Sequence, residues 1–420
     1  MSGATSDDAI SGAEAIALHR RHLSKGRSQL ASMFGSLVEK SASGARVTTL
    51  DGREFLNCGG YGVFFTGAGH PHIVRAVQRQ AERQALSTRL FLDPEVGLAA
   101  QALTSVAPAG LDRVHFAGSG TEATETAVKL ARAHGRRRLI SMENGYHGKT
   151  LGALSLTAKS FYQEPFRPLL PDVRHVPFGD TGALAEALGT GDGEACVVVE
   201  PVQSEAGVVI PPPGYLAEVA RLCRGHGAFL VVDEVMTGLG RLGAWWGCDL
   251  ADVRPDVLLV GKALSGGVVP VSAALATPEA FAPFDADPFL HTSTYSGAPI
   301  AMAAVRATVE VVRDEGLVGR AAETGARLLD GLREIAAHRA PGLVREVRGQ
   351  GLLIGVELAE ASQAGELLLE MVDRSVLVNH SLNAHPVVRL TPPAVLTPDQ
   401  EAQLLEAFDG ALSAMAKTFS

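Results

Sequence analysis

Between residues 90 and 312 the apolar positions of this chain alternate between two patterns. Short unbroken runs, A-C-V-V-V-E-P-V (195–202), A-F-L-V-V-D-E-V (228–235) and D-V-L-L-V-G-K-A (256–263), predict strands covered on both faces, as in a parallel sheet. Between the first two, residues 214–226 (G-Y-L-A-E-V-A-R-L-C-R-G-H) keep the helix period and place glycines at the C-terminal end. Strand, helix and strand make a βαβ unit, so the fold class expected is α/β with a mostly parallel central sheet. Residues 9–38 carry helix-period apolar positions among basic residues and predict an N-terminal helix. A-R-V-T-T-L-D-G-R-E-F-L-N (45–57) predicts a hairpin turning at Asp51-Gly52. The glycine-rich stretch 59–72 reads either as a loop packed close to something, with Tyr61 and Phe64 turned toward it, or as a flexible loop with core aromatics. Beyond Val312 the pattern changes to a helix, a strand in 343–358 and a last helix from Pro398. These boundaries divide the chain into an N-terminal segment (1–85), a large domain (86–312) and a C-terminal portion (313–420). The two end pieces are expected to form a smaller α+β domain.

Composition narrows the class. With 420 residues, 46% hydrophobic and 20% charged, the chain can bury a large core and is neither disordered nor fibrous. A formal charge of -9, with no basic stripe to offset it, argues against nucleic acid as a partner. Cys58, Cys196, Cys223 and Cys248 are too scattered for a zinc site or a disulfide framework, so no metal is expected. The start of the chain is polar and acidic, without the basic and apolar regions of a secretory leader, and no run is long enough to span a bilayer. A cytoplasmic location is the expectation, with no membrane partner.

Chemistry concentrates at three places. Residues 255–270 (P-D-V-L-L-V-G-K-A-L-S-G-G-V-V-P) carry Lys262 from the end of a buried strand into a glycine-rich turn. Burial there would depress the amine's pKa and make it a nucleophile suited to Schiff-base chemistry; alternatively the side chain snorkels to the surface. In H-F-A-G-S-G-T-E (115–122) a glycine-flanked turn opens a helix near Gly120, an arrangement whose free N–H groups suit a single phosphate, although such turns are also common as plain structure. Asp233 closes an apolar strand, where α/β sheets place ligands, and suits a protonated pyridine nitrogen; the other reading is a cap on the following turn. A phosphate cradle, an aspartate for a ring nitrogen and a strand-end lysine for an aldehyde are the contacts that pyridoxal 5'-phosphate requires. The remaining lysines, Lys25, Lys40, Lys129, Lys149, Lys159 and Lys417, fall mostly on polar helix faces or near the termini.

Seven motifs then carry a family resemblance. They are G-S-G-T-E (118–122), G-Y-H-G-K-T (145–150), E-P-V-Q-S-E-A-G (200–207), D-E-V-M-T-G-L-G-R-L-G (233–243), G-K-A-L-S-G-G (261–267), H-T-S-T-Y-S-G-A-P (291–299) and V-R-L-T-P-P (388–393). From about Val47 to the last helix the chain resembles the class III pyridoxal phosphate-dependent aminotransferases of fold type I. Within that family, 147–160, 168–179 and 287–295 are similar to putrescine aminotransferases. The resemblance implies that Lys262 holds the cofactor and shuttles a proton, and that Asp233 keeps the ring nitrogen charged. It implies that Ser119, Gly120 and Thr121 bind the phosphate and that Tyr146 stacks on the ring. Thr294 would reach the phosphate of a second subunit, making a homodimer obligatory. Arg389 would grip the carboxylate of glutamate or 2-oxoglutarate, and Glu205 would neutralise Arg389 when the substrate lacks one.

Some positions depart from the pattern. Gly118 and Ala298 stand where many relatives have Asn, Met236 where putrescine enzymes have Gln, and Ser204 where others have Gly. None removes a catalytic group. Met236, Ser204, Tyr61 and Phe64 are expected to reshape the substrate pocket, and Lys149 to contribute to it. Lys149 replaces the Arg of ornithine-type relatives, which agrees with a diamine. The activity implied is a ping-pong ω-aminotransferase working between a terminal amine or aldehyde, putrescine-like or biosynthetic, and 2-oxoglutarate or glutamate. Acetylornithine/ornithine-type and 4-aminobutyrate-type enzymes are the alternatives. A decarboxylase or aminomutase, or a non-catalytic cofactor-binding protein, is disfavoured by the Arg389–Glu205 pair and by the presence of Lys262.

Overall fold

A computed structural model describes residues 10–189 and 193–418. The first nine residues, on which the leaderless reading largely rests, lie outside them. Among the described residues, no helix is long and apolar enough to cross a membrane.

A seven-stranded sheet forms the centre. Its spatial order is Arg113–Ala117, Ser272–Ala276, Val257–Val260, Phe229–Asp233, Ala195–Val199, Arg138–Met142 and Val173–Val176. Only Ser272–Ala276 runs antiparallel to its neighbours. The four strands from Ala195–Val199 to Ser272–Ala276 are buried along their whole length, the reason their sequences lack polar alternation. The helix Tyr215–Gly225 covers one face, burying Tyr215, Leu216, Val219, Ala220, Leu222 and Cys223 along one stripe. Each fully buried Leu or Val there contributes about 1.5–3 kcal/mol, so a charge at Val219 would strip the helix from the sheet.

Two smaller sheets flank this centre. In one, the expected hairpin of Arg46–Thr49 and Glu54–Asn57, with Gly52 at φ 84°, is joined in parallel by Val376–Leu377 from the far end of the chain. The other contains Val344–Gln350, Leu353–Leu358, Val387–Leu390 and Asn379–His380, with Arg389 paired opposite Gly355. A Cβ at Gly355 would come within 3.0 Å of Val208 Cβ, so this sheet lies flush on the loop that follows Glu205. Arg348 reinforces the contact by donating to the Gly207 carbonyl at 2.7 Å.

Two expectations change. The single strand read over 343–358 is a hairpin, because Gly351 adopts φ 55° and its missing Cβ leaves room for the Arg241 carbonyl. The single N-terminal helix is two, Gly12–His22 and Lys25–Met33, because the Ser24 hydroxyl accepts from Arg27 N–H at 3.4 Å and restarts the helix. A helix-period pattern continues across such a break and does not reveal it.

Candidate active site

Five parallel strands deliver side chains from their C-terminal ends into one region, where open α/β sheets bind ligands. Beyond Arg113–Ala117 come Ser119, Gly120 and Thr121, and beyond Arg138–Met142 come Tyr146, His147 and Lys149. Ala195–Val199 leads to Glu200, Ser204 and Glu205. Phe229–Asp233 ends on Asp233 itself and Val257–Val260 leads to Lys262. A cavity of about 320 Å³ is lined by Gly120, Thr121, Tyr146, Lys149, Asp233, Met236 and Lys262, together with His147, Glu200 and Ser204. A second cavity of about 310 Å³ shares Gly120 and Lys262 with it and adds Ser119.

Lys262 does not snorkel. It opens a 3-10 turn at φ 40°, a conformation that non-glycine residues seldom hold without a functional reason, and its side chain lines both cavities. Burial is the main cause holding its pKa below the ordinary lysine value, and Arg389 adds to it. Glu205, Asp233 and Glu200 oppose that shift. Desolvation wins, which favours the neutral, nucleophilic amine.

Asp233 is 5% exposed and both caps the turn that follows it and faces the cavity. One oxygen accepts from Val235 N–H at 3.0 Å and the other from His147 Nδ1 at 2.7 Å. A carboxylate can only accept, so His147 carries its proton on Nδ1. Burial pushes the His147 pKa down, but the hydrogen bond and charge of Asp233 outweigh it and leave the group above its ordinary value. His147 is fixed by its backbone as well: its N–H donates to Thr157 Oγ1 at 2.9 Å and its carbonyl accepts from Thr124 Oγ1 at 2.8 Å.

The helix Gly120–Ala133 presents its bare first turn to the cavity. A Cβ at Gly120 would stand 3.0 Å from Val235 Cγ1, so this position must stay free of a side chain. Gly148, at φ 128°, brings its backbone against Thr121, where a Cβ would lie 2.4 Å from the hydroxyl. These N–H groups suit a phosphate. Ser119 Oγ donates to Glu122 Oε2 at 2.9 Å and Thr121 Oγ1 pairs with Thr150 Oγ1 at 2.7 Å.

Arg389 is fully buried. Its Nη1 meets Glu205 Oε1 at 2.7 Å, while Nε and Nη2, the side-on fork of the guanidinium, have no partner among the described residues. A buried, unsatisfied fork is the geometry that a carboxylate completes.

The other expected residues are placed differently. Met236 lies under the glycine-rich loop, and a Cβ at Gly62 would be 2.5 Å from its sulfur and 3.8 Å from Lys262 Cδ. The loop does pack close to the site, but through its backbone. Phe64 turns onto Gly267, and Tyr61, at φ 53°, is half exposed and outside the cavity lining. Lys149 sets its ammonium 3.9 Å above the Tyr162 ring at the cavity wall. Thr294 is exposed and does not line the cavity of its own chain.

Three residues escaped the sequence reading. His147 stands beside Tyr146 in a motif read only for Tyr146. Glu200, 5% exposed, accepts from the N–H groups of Tyr146 and Ser204, and burial pushes its carboxyl up to about 7. Arg241 is buried without an acidic partner among the described residues and donates to the carbonyls of Gly62, Leu352 and Pro392 at 3.1, 3.3 and 2.6 Å. It thereby ties three distant segments together. The signal for Glu200 was a polar residue directly after an apolar run, and the signal for His147 was the motif around Tyr146.

The residues present therefore fit pyridoxal phosphate: an amine, a buried carboxylate and an open helix N-terminus surround one cavity. A profile of the family described as aminotransferase class-III matches residues 29–412. The chain is similar to the ornithine aminotransferase of Toxoplasma gondii ME49, with 31% identity, 97% of this chain and 96% of that chain covered, and a TM-score of 0.89. It is similar to the acetylornithine aminotransferase of Elizabethkingia anophelis, with 31% identity, 96% and 98% covered, and a TM-score of 0.82. A third likeness is to an amine transaminase from an uncultivated Pseudomonas species in its PLP-bound form, with 30% identity, 90% and 95% covered, and a TM-score of 0.83. The chain belongs to the class III aminotransferases, fold type I enzymes that use pyridoxal 5'-phosphate to move an amino group between a small amine and a 2-oxo acid.

Proposed function

We propose that this enzyme is an ω-aminotransferase exchanging an amino group between a terminal amine or its aldehyde and 2-oxoglutarate or glutamate in two half-reactions. The observation that carries this reading is the buried Arg389–Glu205 pair with its unsatisfied guanidinium fork. Glu205 neutralises Arg389 while an amine without a carboxylate is bound, and is driven aside by like-charge repulsion when a dicarboxylate takes the free Nε and Nη2 fork beside it. When bound, pyridoxal phosphate supplies the electron sink that lets the C–H bond beside the transferred nitrogen ionise. Lys262 Nζ would move that proton, Asp233 would face the ring nitrogen, Tyr146 would pack against the ring, and Ser119, Gly120 and Thr121 would hold the phosphate. The same reading takes residues 86–312 as the cofactor-binding domain.

A putrescine-like diamine or a biosynthetic aldehyde remains the substrate proposed first. The second reading is an ornithine- or acetylornithine-type enzyme. Lys149, which in the sequence agrees with a diamine, counts toward this second reading once it is placed at the cavity wall, because an ammonium there suits a carboxylate better than the distal ammonium of a diamine. Two of the similar structures named above are also enzymes of that type. We place Thr294 at the phosphate of a partner subunit in a homodimer. The strongly exposed Leu90, Phe91, Leu92 and Phe289 support this, since an apolar patch of that kind marks a protein contact.

A donor screen with 2-oxoglutarate and pyruvate as rival acceptors tests the reading. Turnover of terminal amines with 2-oxoglutarate is expected. Exclusive use of pyruvate, with no response to Arg389 substitution, would overturn it.

A further inference from the structure

Residues 381–386 link the strands Asn379–His380 and Val387–Leu390, the second of which carries Arg389. This short strap holds Glu205 from the side opposite Arg389. Leu382 N–H donates to Glu205 Oε2 at 2.9 Å, while Glu205 Oε1 is the oxygen paired with Arg389. Asn383 N–H donates to the Glu205 carbonyl, also at 2.9 Å. The strap is in turn fastened to the loop and short helix that follow Thr157. Tyr162 donates its hydroxyl to the Leu382 carbonyl at 3.2 Å, and Lys159 Nζ donates to the Asn383 carbonyl at 2.9 Å. The Asn383 side chain adds a bond to the Asn144 carbonyl at 2.8 Å. The peptide between Leu382 and Asn383 is thus gripped at both its carbonyl and its N–H.

We propose that Lys159 and Tyr162 are specificity-determining positioning residues that fasten this strap and so set how readily Glu205 leaves Arg389. The inference rests on the carboxylate exchange described above. A dicarboxylate that displaces Glu205 replaces the ion pair with one of its own. It does not replace the bond from Leu382 N–H, which is lost when Glu205 swings away. That bond biases the enzyme toward the paired state, and the bias lasts only as long as the strap stays in place. Neither Lys159 nor Tyr162 lines the cofactor cavity, so their effect on the chemistry is indirect. Tyr162 also lies under the Lys149 ammonium, and Tyr162→Phe keeps that ring.

The test is steady-state and half-reaction kinetics of the holoenzyme carrying Lys159→Met and Tyr162→Phe together. Weakening the charge-assisted bond from Leu382 N–H to the Glu205 carboxylate lowers the KM for 2-oxoglutarate by about fivefold. The amine KM and both kcat values stay within about twofold, because the paired state remains the dominant one. The visible spectrum of the bound cofactor is also unchanged. A strap that is merely structural would instead shift both KM values together. Glu205→Gln separates this inference from the reading beneath it. If Glu205→Gln leaves the ratio of the two KM values unmoved, the exchange itself is wrong. If it moves that ratio and the double variant does not, the exchange stands and the role of Lys159 and Tyr162 is refuted.

Discussion

Replacing Arg389 with lysine keeps a positive charge opposite Glu205 but removes the planar fork. In the native enzyme Nη1 serves Glu205, and Nε and Nη2 are the two donors left for an incoming carboxylate. A lysine offers one compact ammonium in place of that pair, so at least one charge-assisted hydrogen bond to the dicarboxylate is lost. Such a bond is worth about 1.5–3 kcal/mol, which corresponds to roughly a 10- to 150-fold fall in kcat/KM for 2-oxoglutarate. The amine half-reaction should change by less than about threefold, because the carboxylate of Glu205 keeps a cation beside it and the Leu382 N–H on its other oxygen. Arg389→Met sets the other limit. It strands Glu205 as a buried carboxylate without a counter-ion, a loss of about 3–5 kcal/mol, and should also lower thermal stability. The assay is stopped-flow absorbance of the cofactor in each half-reaction separately, so that binding and chemistry are not merged. Equal losses in the two halves for Arg389→Lys would refute the assignment, and so would no loss with 2-oxoglutarate.

Three further outcomes are expected. Gly62→Ala should lower kcat, since its Cβ would fall 2.5 Å from Met236 Sδ at φ 76°; adding Met236→Ala should restore part of the activity, and no rescue would mean that the contact is not what matters. Burial raises the Glu200 carboxyl from 4.5 to about 7, so the stability it contributes is complete below pH 4.5 and is lost as pH rises through about 7. Urea melts of the cofactor-free protein should show that loss, up to about 3 kcal/mol relative to Glu200→Gln, and parallel pH curves for the two proteins would reject it. Phe91→Glu combined with Phe289→Glu should convert a dimer to a monomer of low cofactor affinity in sedimentation runs; a wild-type protein that sediments as a monomer would remove the proposed role of Thr294.

Much of this architecture is visible in the order of the residues. Strands buried on both faces leave unbroken apolar runs, and a polar residue that ends or follows such a run stands out, as Asp233 and Lys262 do. The hairpin at Asp51-Gly52 is equally local, because the turn needs glycine's backbone freedom. What remained hidden depends on contacts between distant segments. Arg241 ties together carbonyls at positions 62, 352 and 392, and the latch on Glu205 is a backbone N–H from residue 382. No side-chain pattern announces a backbone donor. Tyr61 and Phe64 show the converse: their motif drew attention to the rings, whereas the loop meets Met236 and Lys262 through the backbone of Gly62, with Phe64 turned onto Gly267. The break at Ser24 and the hairpin at Gly351-Leu352 were missed because hydrophobic period survives a cap and a two-residue turn.

The central claim is that the Lys262 amine, raised into the cavity at the end of Val257–Val260, is the group that carries the cofactor. Borohydride reduction of the yellow holoenzyme followed by peptide mass mapping tests it most directly. The account predicts a single pyridoxyl-phosphate adduct on the peptide containing Lys262, and its disappearance in Lys262→Ala together with the visible absorbance. An adduct on Lys149, the other lysine at the cavity wall, or no adduct at all would contradict it.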